Sequence, residues 1–143
     1  MSHSTQRPDP LAPFVGEWSI RRDIFDLDSN WTGRFEGRGV FEPSTAGLAY
    51  AEEGELRFAG LPGFKATRGY HWRADGRHII VEFEDGRFFH RFDPATDGTE
   101  ATHFCDPDTY DVRYVFEFPN TWRSEWRVEG PRKDYRMVTN YAR

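Results

Sequence analysis

A chain of 143 residues has room for one domain and one core. An aromatic share of 17% argues against disorder, and a formal net charge of -5 leaves no basic footprint for nucleic acid. A single cysteine, Cys105, excludes an intrachain disulfide and fits a reducing compartment, so a cytoplasmic location is expected.

Residues 1–10 are polar, lack the apolar core of a signal peptide, and are expected to form a flexible tail. Residues 11–143 are expected to form the domain, opening with a short helical turn over residues 11–15. From Gly16 onward the apolar pattern has period two, with turn signals about every ten residues. Residues 16–26 set Trp18, Ile20, Arg22 and Ile24 on one face. In 31–42 the glycines Gly33, Gly37 and Gly39 mark bends that curve a sheet. Residues 48–58 group Leu48, Tyr50, Glu52, Leu56 and Phe58, and 64–73 group Phe64, Ala66, Arg68, Tyr70 and Trp72. Residues 78–84 carry Ile79, Val81 and Phe83 into a two-residue turn at Asp85-Gly86. The next strand, 87–92, groups Phe88, His90 and Phe92; Ala101, His103 and Cys105 share a face after it. Residues 110–118 group Tyr110, Val112, Tyr114, Phe116 and Phe118, and 122–129 group Trp122, Ser124, Trp126 and Val128. The last strand sets Lys133, Tyr135, Met137, Thr139 and Tyr141 together.

About ten strands joined by short hairpins predict an all-β, up-and-down antiparallel barrel, because a sheet of that size curls shut to remove its edges. A two-sheet sandwich is the competing architecture. A barrel of this size holds one small ligand.

Phe14-Val15-Gly16-Glu17-Trp18 resembles the Gly-x-Trp signature of the lipocalins, or calycins, at the head of their first strand. The resemblance implies that Trp18 plugs the closed end, with a basic residue of the last strand (Arg132, Lys133 or Arg136) packed over it. The segments Gly47-Leu48-Ala49-Tyr50-Ala51-Glu52, Asp85-Gly86-Arg87-Phe88-Phe89-His90, His103-Phe104-Cys105-Asp106-Pro107-Asp108-Thr109-Tyr110 and Gly130-Pro131-Arg132-Lys133-Asp134-Tyr135 resemble a small bacterial family of unknown function with this lipocalin-like barrel. That resemblance covers almost the whole chain from Phe14 and implies no activity. The disulfide and the second conserved block of secreted lipocalins are absent, so the likeness is to the architecture.

Polar residues on faces that otherwise read as core are the informative feature. Arg22, Glu52, Arg68, His90, His103, Cys105 and Lys133 fall in phase with apolar residues and point inward, together with Tyr50, Tyr70, Tyr110, Tyr114 and Tyr135. Buried charges must be paired or bound to something. The expectation is therefore a small-molecule binding protein whose lumen holds a polar or anionic, aromatic-containing ligand. Its ligand-facing anchor is Arg68, paired with Glu52 in the empty protein. Two other readings stay open on the same residues. One is a polar network that merely satisfies itself, in an interaction module whose lumen is filled. The other is an enzyme of decarboxylase, isomerase or hydrolase type, with Glu52, His90 or His103 as general base and Tyr and Arg68 steadying negative charge. Phenolic acid decarboxylases, a lipocalin-like enzyme class, resemble this equipment at the level of fold alone.

A hairpin centred between Thr96 and Asp97 would set His90 opposite His103 and Phe88 opposite Cys105. Such a pair allows haem or metal ligation, with Cys105 or Glu52 as third ligand, or a Cys105 nucleophile beside His103. The expectation is nevertheless that no metal is bound and no cofactor is needed. The partner is a small molecule, without nucleic acid or membrane, for a monomer or homodimer.

Overall fold

The computed structural model describes residues 9–96 and 99–143. A 3-10 turn, Ala12–Phe14, leads into ten strands: β1 (Gly16–Asp26), β2 (Thr32–Ser44), β3 (Gly47–Phe58), β4 (Phe64–Asp75), β5 (His78–Phe83), β6 (Phe88–Phe92), β7 (Glu100–Cys105), β8 (Asp108–Glu117), β9 (Thr121–Gly130) and β10 (Lys133–Ala142). All pairings are antiparallel, and β1 closes on β10, giving the order β6-β5-β4-β3-β2-β1-β10-β9-β8-β7. Strands β6 and β7 run side by side without a backbone ladder among the described residues, so the barrel is nearly closed. The all-β up-and-down barrel and its short N-terminal turn are thus present, and the sandwich is not. The tail expected over residues 1–10 lies outside the described residues except for residues 9 and 10. No helix among the described residues is long and apolar enough to cross a membrane.

Alternation carries through the strands as the sequence pattern requires. In β1, Trp18, Ile20 and Arg22 are buried while Ser19 and Arg21 face out. The outer face is laced with exposed cross-strand ion pairs such as Arg34 with Asp23 at 3.1 Å and Arg38 with Glu17 at 3.4 Å. Each contributes at most about 1 kcal/mol in that setting.

One end of the barrel is plugged. The 3-10 turn drives Phe14 into it, where the ring lies edge-on to Trp72 at 5.0 Å and Trp122 at 5.2 Å. Trp18 is fully buried beneath and donates its indole N–H to the Phe14 carbonyl at 2.9 Å. The cation over Trp18 is Arg143, 3.9 Å from the ring, and not Arg132, Lys133 or Arg136. The reason is direction. β10 is antiparallel to β1, with Ser19 opposite Ala142, so its first residues sit at the far end, about 30 Å from the plug at 3.3 Å per residue. Arg143 also donates to the carbonyls of Val15 at 2.7 Å, Pro13 at 2.9 Å and Pro119 at 3.0 Å.

The hairpin β5–β6 departs from simple alternation twice. Four residues, Glu84, Asp85, Gly86 and Arg87, separate the strands, rather than two. The Gly86 N–H donates to Phe83 and the Phe83 N–H to Arg87, and Gly86 has φ of +90°, a conformation that glycine adopts without strain. A bulge then follows: Val81 pairs with His90 but Glu82 pairs with Phe88, leaving Phe89 as the extra residue. The shift buries Phe89 and leaves Phe88 52% exposed. Phe88 was expected to face inward, and Phe89 takes its place.

Candidate functional site

Between the plug and the opposite end lies a cavity of about 240 Å³. Its floor, over Phe14, is made by Trp72 from β4 and Trp122 from β9. Val81, Phe83, Phe89, Trp126 and Met137 supply apolar wall, while Tyr70, His90, Tyr110, Tyr114, Ser124 and Tyr141 bring polar atoms to it. Arg68 and Tyr135 stand toward the open end, and the Arg68 side chain is 43% exposed.

One buried ion pair crosses the lumen. Arg22 and Glu52 are 6% and 4% exposed. The guanidinium grips the carboxylate with both nitrogens, Nη1 to Oε1 at 2.8 Å and Nη2 to Oε2 at 3.1 Å, and its Nε donates to Thr139 Oγ1 at 2.8 Å. The Tyr50 hydroxyl donates to the second carboxylate oxygen. Gly39, opposite Glu52 in the β2–β3 ladder, makes room for this: a Cβ there would lie 2.7 Å from the Tyr50 hydroxyl and 2.8 Å from Ile20. Arg68 is the direct cross-strand neighbour of Glu52 in β4, yet its Nε stays 3.7 Å from Oε1. Glu52 was expected to pair with Arg68. Its forked partner is Arg22 instead, because curvature of the barrel brings the inward-facing β1 side chain under β3.

These contacts fix the charge states. Burial raises the Glu52 pKa, but the Arg22 charge and its hydrogen bonds, then Arg68 and Tyr50, outweigh it and hold the carboxyl below its usual value. Burial lowers that of Arg22, and Glu52 more than restores it, so the guanidinium stays charged. Burial pushes Tyr50 and Tyr114 well above the ordinary tyrosine value and raises Tyr70, Tyr135 and Tyr141. Burial, with a smaller contribution from His103, pulls His90 down to about 3. Three side chains of the charged type line the wall, Arg22, Glu52 and Arg68, two guanidinium groups to one carboxylate. The first two cancel, and one positive charge remains.

The structure brings Arg22, Tyr50, Glu52, Arg68, Tyr70, His90, Tyr110, Tyr114 and Tyr135 onto one cavity. His103 and Cys105 do not line it. His103, opposite Tyr110 in the β7–β8 ladder, packs against the Phe89 ring at 5.5 Å and the Phe88 ring at 6.0 Å. Cys105, at the end of β7, is exposed, and Lys133 is an exposed partner of Asp108 at 2.9 Å. The direct cross-strand pairing of His90 with His103 fails because β6 and β7 share no ladder among the described residues. The proposed centre of that hairpin, at Asp97, lies outside the described residues. His90 instead stacks on Tyr114, its Nε2 2.8 Å from the hydroxyl. Among the described residues no group of three or more His, Cys, Asp or Glu side chains could hold a metal ion.

Sequence reasoning left Trp72, Trp122, Ser124, Trp126, Met137 and Tyr141 out of the site, although each sits in phase with a residue that was included. Their signal was alternation, read as core alone. Phe89 gave no local signal, since only the bulge turns it inward.

Fold and cavity together define a small, nearly closed antiparallel barrel with a polar-lined lumen. The chain belongs to the family of unknown function DUF6314, whose profile matches residues 14–143. No curated protein matches it. Among solved structures it is similar to the S-type phycobiliprotein lyase CPES from Guillardia theta, with a TM-score of 0.62 at 12% identity, covering 93% of this chain and 89% of that one. It is also similar to a protein of unknown function of the DUF3598 family from Nostoc punctiforme, with a TM-score of 0.60 at 9% identity, covering 93% of this chain. There it spans about half of the other chain, 48%. At these identities the likeness is one of fold.

Proposed function

We propose that the protein is a lipocalin-like binding protein for a small aromatic carboxylate held in the barrel lumen, with residues 11–143 as the functional unit. The supporting observation is the single uncancelled positive charge on the cavity wall, the guanidinium of Arg68. Glu52 is already gripped by Arg22 at 2.8 and 3.1 Å and holds Arg68 only at 3.7 Å, so the Arg68 fork can turn to a carboxylate, a contact stronger than a neutral hydrogen bond. Aromatic walls from Tyr70, Phe89 and Trp126 suit a ring. The volume of about 240 Å³ suits a one-ring acid, since about 150 Å³ is enough to hold benzene.

Calorimetric titration with benzoate tests the reading. Binding by the wild type and at least about ten-fold weakening in Arg68→Met, with the fold unchanged, is the expected result. An Arg68→Met variant that keeps full affinity would remove the anchor and the anionic ligand with it. A second reading, an enzyme in the same lumen, draws on one observation: a histidine, His90, lies on the cavity wall with its Nε2 2.8 Å from the Tyr114 hydroxyl. Deuterium uptake from D2O at the benzylic carbon of phenylpyruvate, abolished in His90→Gln, would favour the enzyme. Uptake no faster than in buffer would leave the binding protein.

A further inference from the structure

Three buried side-chain polar atoms among the described residues have no hydrogen-bond partner: the indole nitrogens of Trp72 and Trp122 and Nδ1 of His90. All three residues line the cavity. Trp18 provides the internal control. It is equally buried, lies away from the cavity, and its N–H has a partner in the Phe14 carbonyl. Buried donors normally find acceptors, and leaving one unmet is costly. Here all three unmet atoms among the described residues belong to side chains that line the lumen.

Their chemistry is one-sided. An indole N–H donates and cannot accept. The His90–Tyr114 pair, with His90 neutral, holds one N–H and one O–H and uses one proton between them. In either tautomer a proton is left to donate. The position is also defined. Trp72 and Trp122, ring centroids 6.1 Å apart, form the floor over Phe14. Arg68 and Trp72 are four residues apart on the same face of β4, about 13 Å along the strand.

We infer that the floor of the cavity is a second recognition subsite, in which the indole N–H groups of Trp72 and Trp122 take a hydrogen-bond acceptor, a carbonyl-type oxygen, at the end of the ligand remote from its carboxylate. This rests on the lumen being a ligand site and names the ligand further: an aromatic acid carrying an oxygen acceptor across the ring from its charge. A purely hydrocarbon tail would leave both indoles unmet.

A pair of uncharged probes isolates the floor from Arg68. Acetophenone and isopropylbenzene fill nearly the same volume, and only the first carries a carbonyl oxygen. The full chain, ¹⁵N-labelled, is titrated with each while the indole N–H resonances are followed, assigned by Trp72→Phe and Trp122→Phe. Acetophenone should bind about ten-fold tighter than isopropylbenzene, the order expected of one recovered hydrogen bond. It should also move the Trp72 and Trp122 indole signals downfield while that of Trp18 stays put. The preference should survive Arg68→Met, so loss of benzoate binding in that variant bears on the anchor and not on the floor. Equal affinities, unmoved indole signals, or no binding of either probe would each overturn the subsite. The wild-type comparison stands even if a tryptophan variant fails to fold.

Discussion

Trp18 and Trp122 meet edge to face with their ring centroids 6.1 Å apart, yet their polar atoms are treated in opposite ways. On the plug side the Trp18 N–H is bonded to Phe14, and Arg143 caps the ring while donating to three carbonyls. On the lumen side the Trp122 N–H has no acceptor, and Arg68 stands 3.7 Å from a carboxylate already held by another arginine. The plug is built to be complete, whereas the lumen keeps indole donors without an acceptor and two guanidinium groups to one carboxylate. Completeness serves stability; on the proposed reading, the unmet capacity inside the cavity serves a ligand. Substitutions on the two sides should therefore divide between stability and binding.

The largest effects belong to the completed contacts. Trp18→Ala should cost about 3–5 kcal/mol in urea unfolding, as emptying a large buried aromatic site does. A near-neutral result would mean that the plug is not what closes the barrel. Arg22→Met should cost about the same, 3–5 kcal/mol, because it strands Glu52 as a buried charge. The double variant Arg22→Met with Glu52→Leu should recover much of that loss, and failure to recover would assign the cost to packing.

Acid titration sharpens the same division. The folded-state pKa of His90, about 3, lies below its ordinary 6.5, so folding favours the neutral ring. The stability from this is complete above pH 6.5 and declines as pH falls toward 3, by up to about 1.4 kcal/mol per unit. Glu52, whose folded pKa is also lowered from 4.5, adds its own loss only below that value. Between pH 6.5 and 4.5 the stability of His90→Gln should fall less steeply than that of the wild type. Parallel slopes would show that His90 is not held neutral.

Smaller effects probe the lumen's geometry. Gly39→Ala places a methyl 2.7 Å from the Tyr50 hydroxyl and should cost about 1–3 kcal/mol, the range for overpacking. Arg68→Met should change stability by less than about 1 kcal/mol, since a half-exposed charge at 3.7 Å contributes little. A loss of several kcal/mol there would move Arg68 to the completed side of the comparison.

The barrel was legible because an extended chain sends successive side chains to opposite faces, a local property written into every strand from Trp18, Ile20 and Arg22 onward. The same rule marked Arg22, Tyr50, Glu52, Arg68 and the lumen tyrosines as polar groups on inward faces. It could not choose partners. Arg22 and Glu52 are 30 residues apart in sequence, and Arg143 and Val15 are 128 apart. Such pairings depend on strand order, direction and curvature, which alternation does not encode.

By itself, then, the sequence determined the strands, the plug residue Trp18 and the polar inward faces, each of which follows from alternation, turn chemistry or a short motif. Only the tertiary structure decided that Arg22 and not Arg68 grips Glu52, and that Arg143 covers Trp18. It also decided that the β6 bulge buries Phe89 and turns Phe88 out, while neither His103 nor Cys105 reaches the cavity. A bulge shifts one strand by a single residue, and with a period of two that shift exchanges inside for outside.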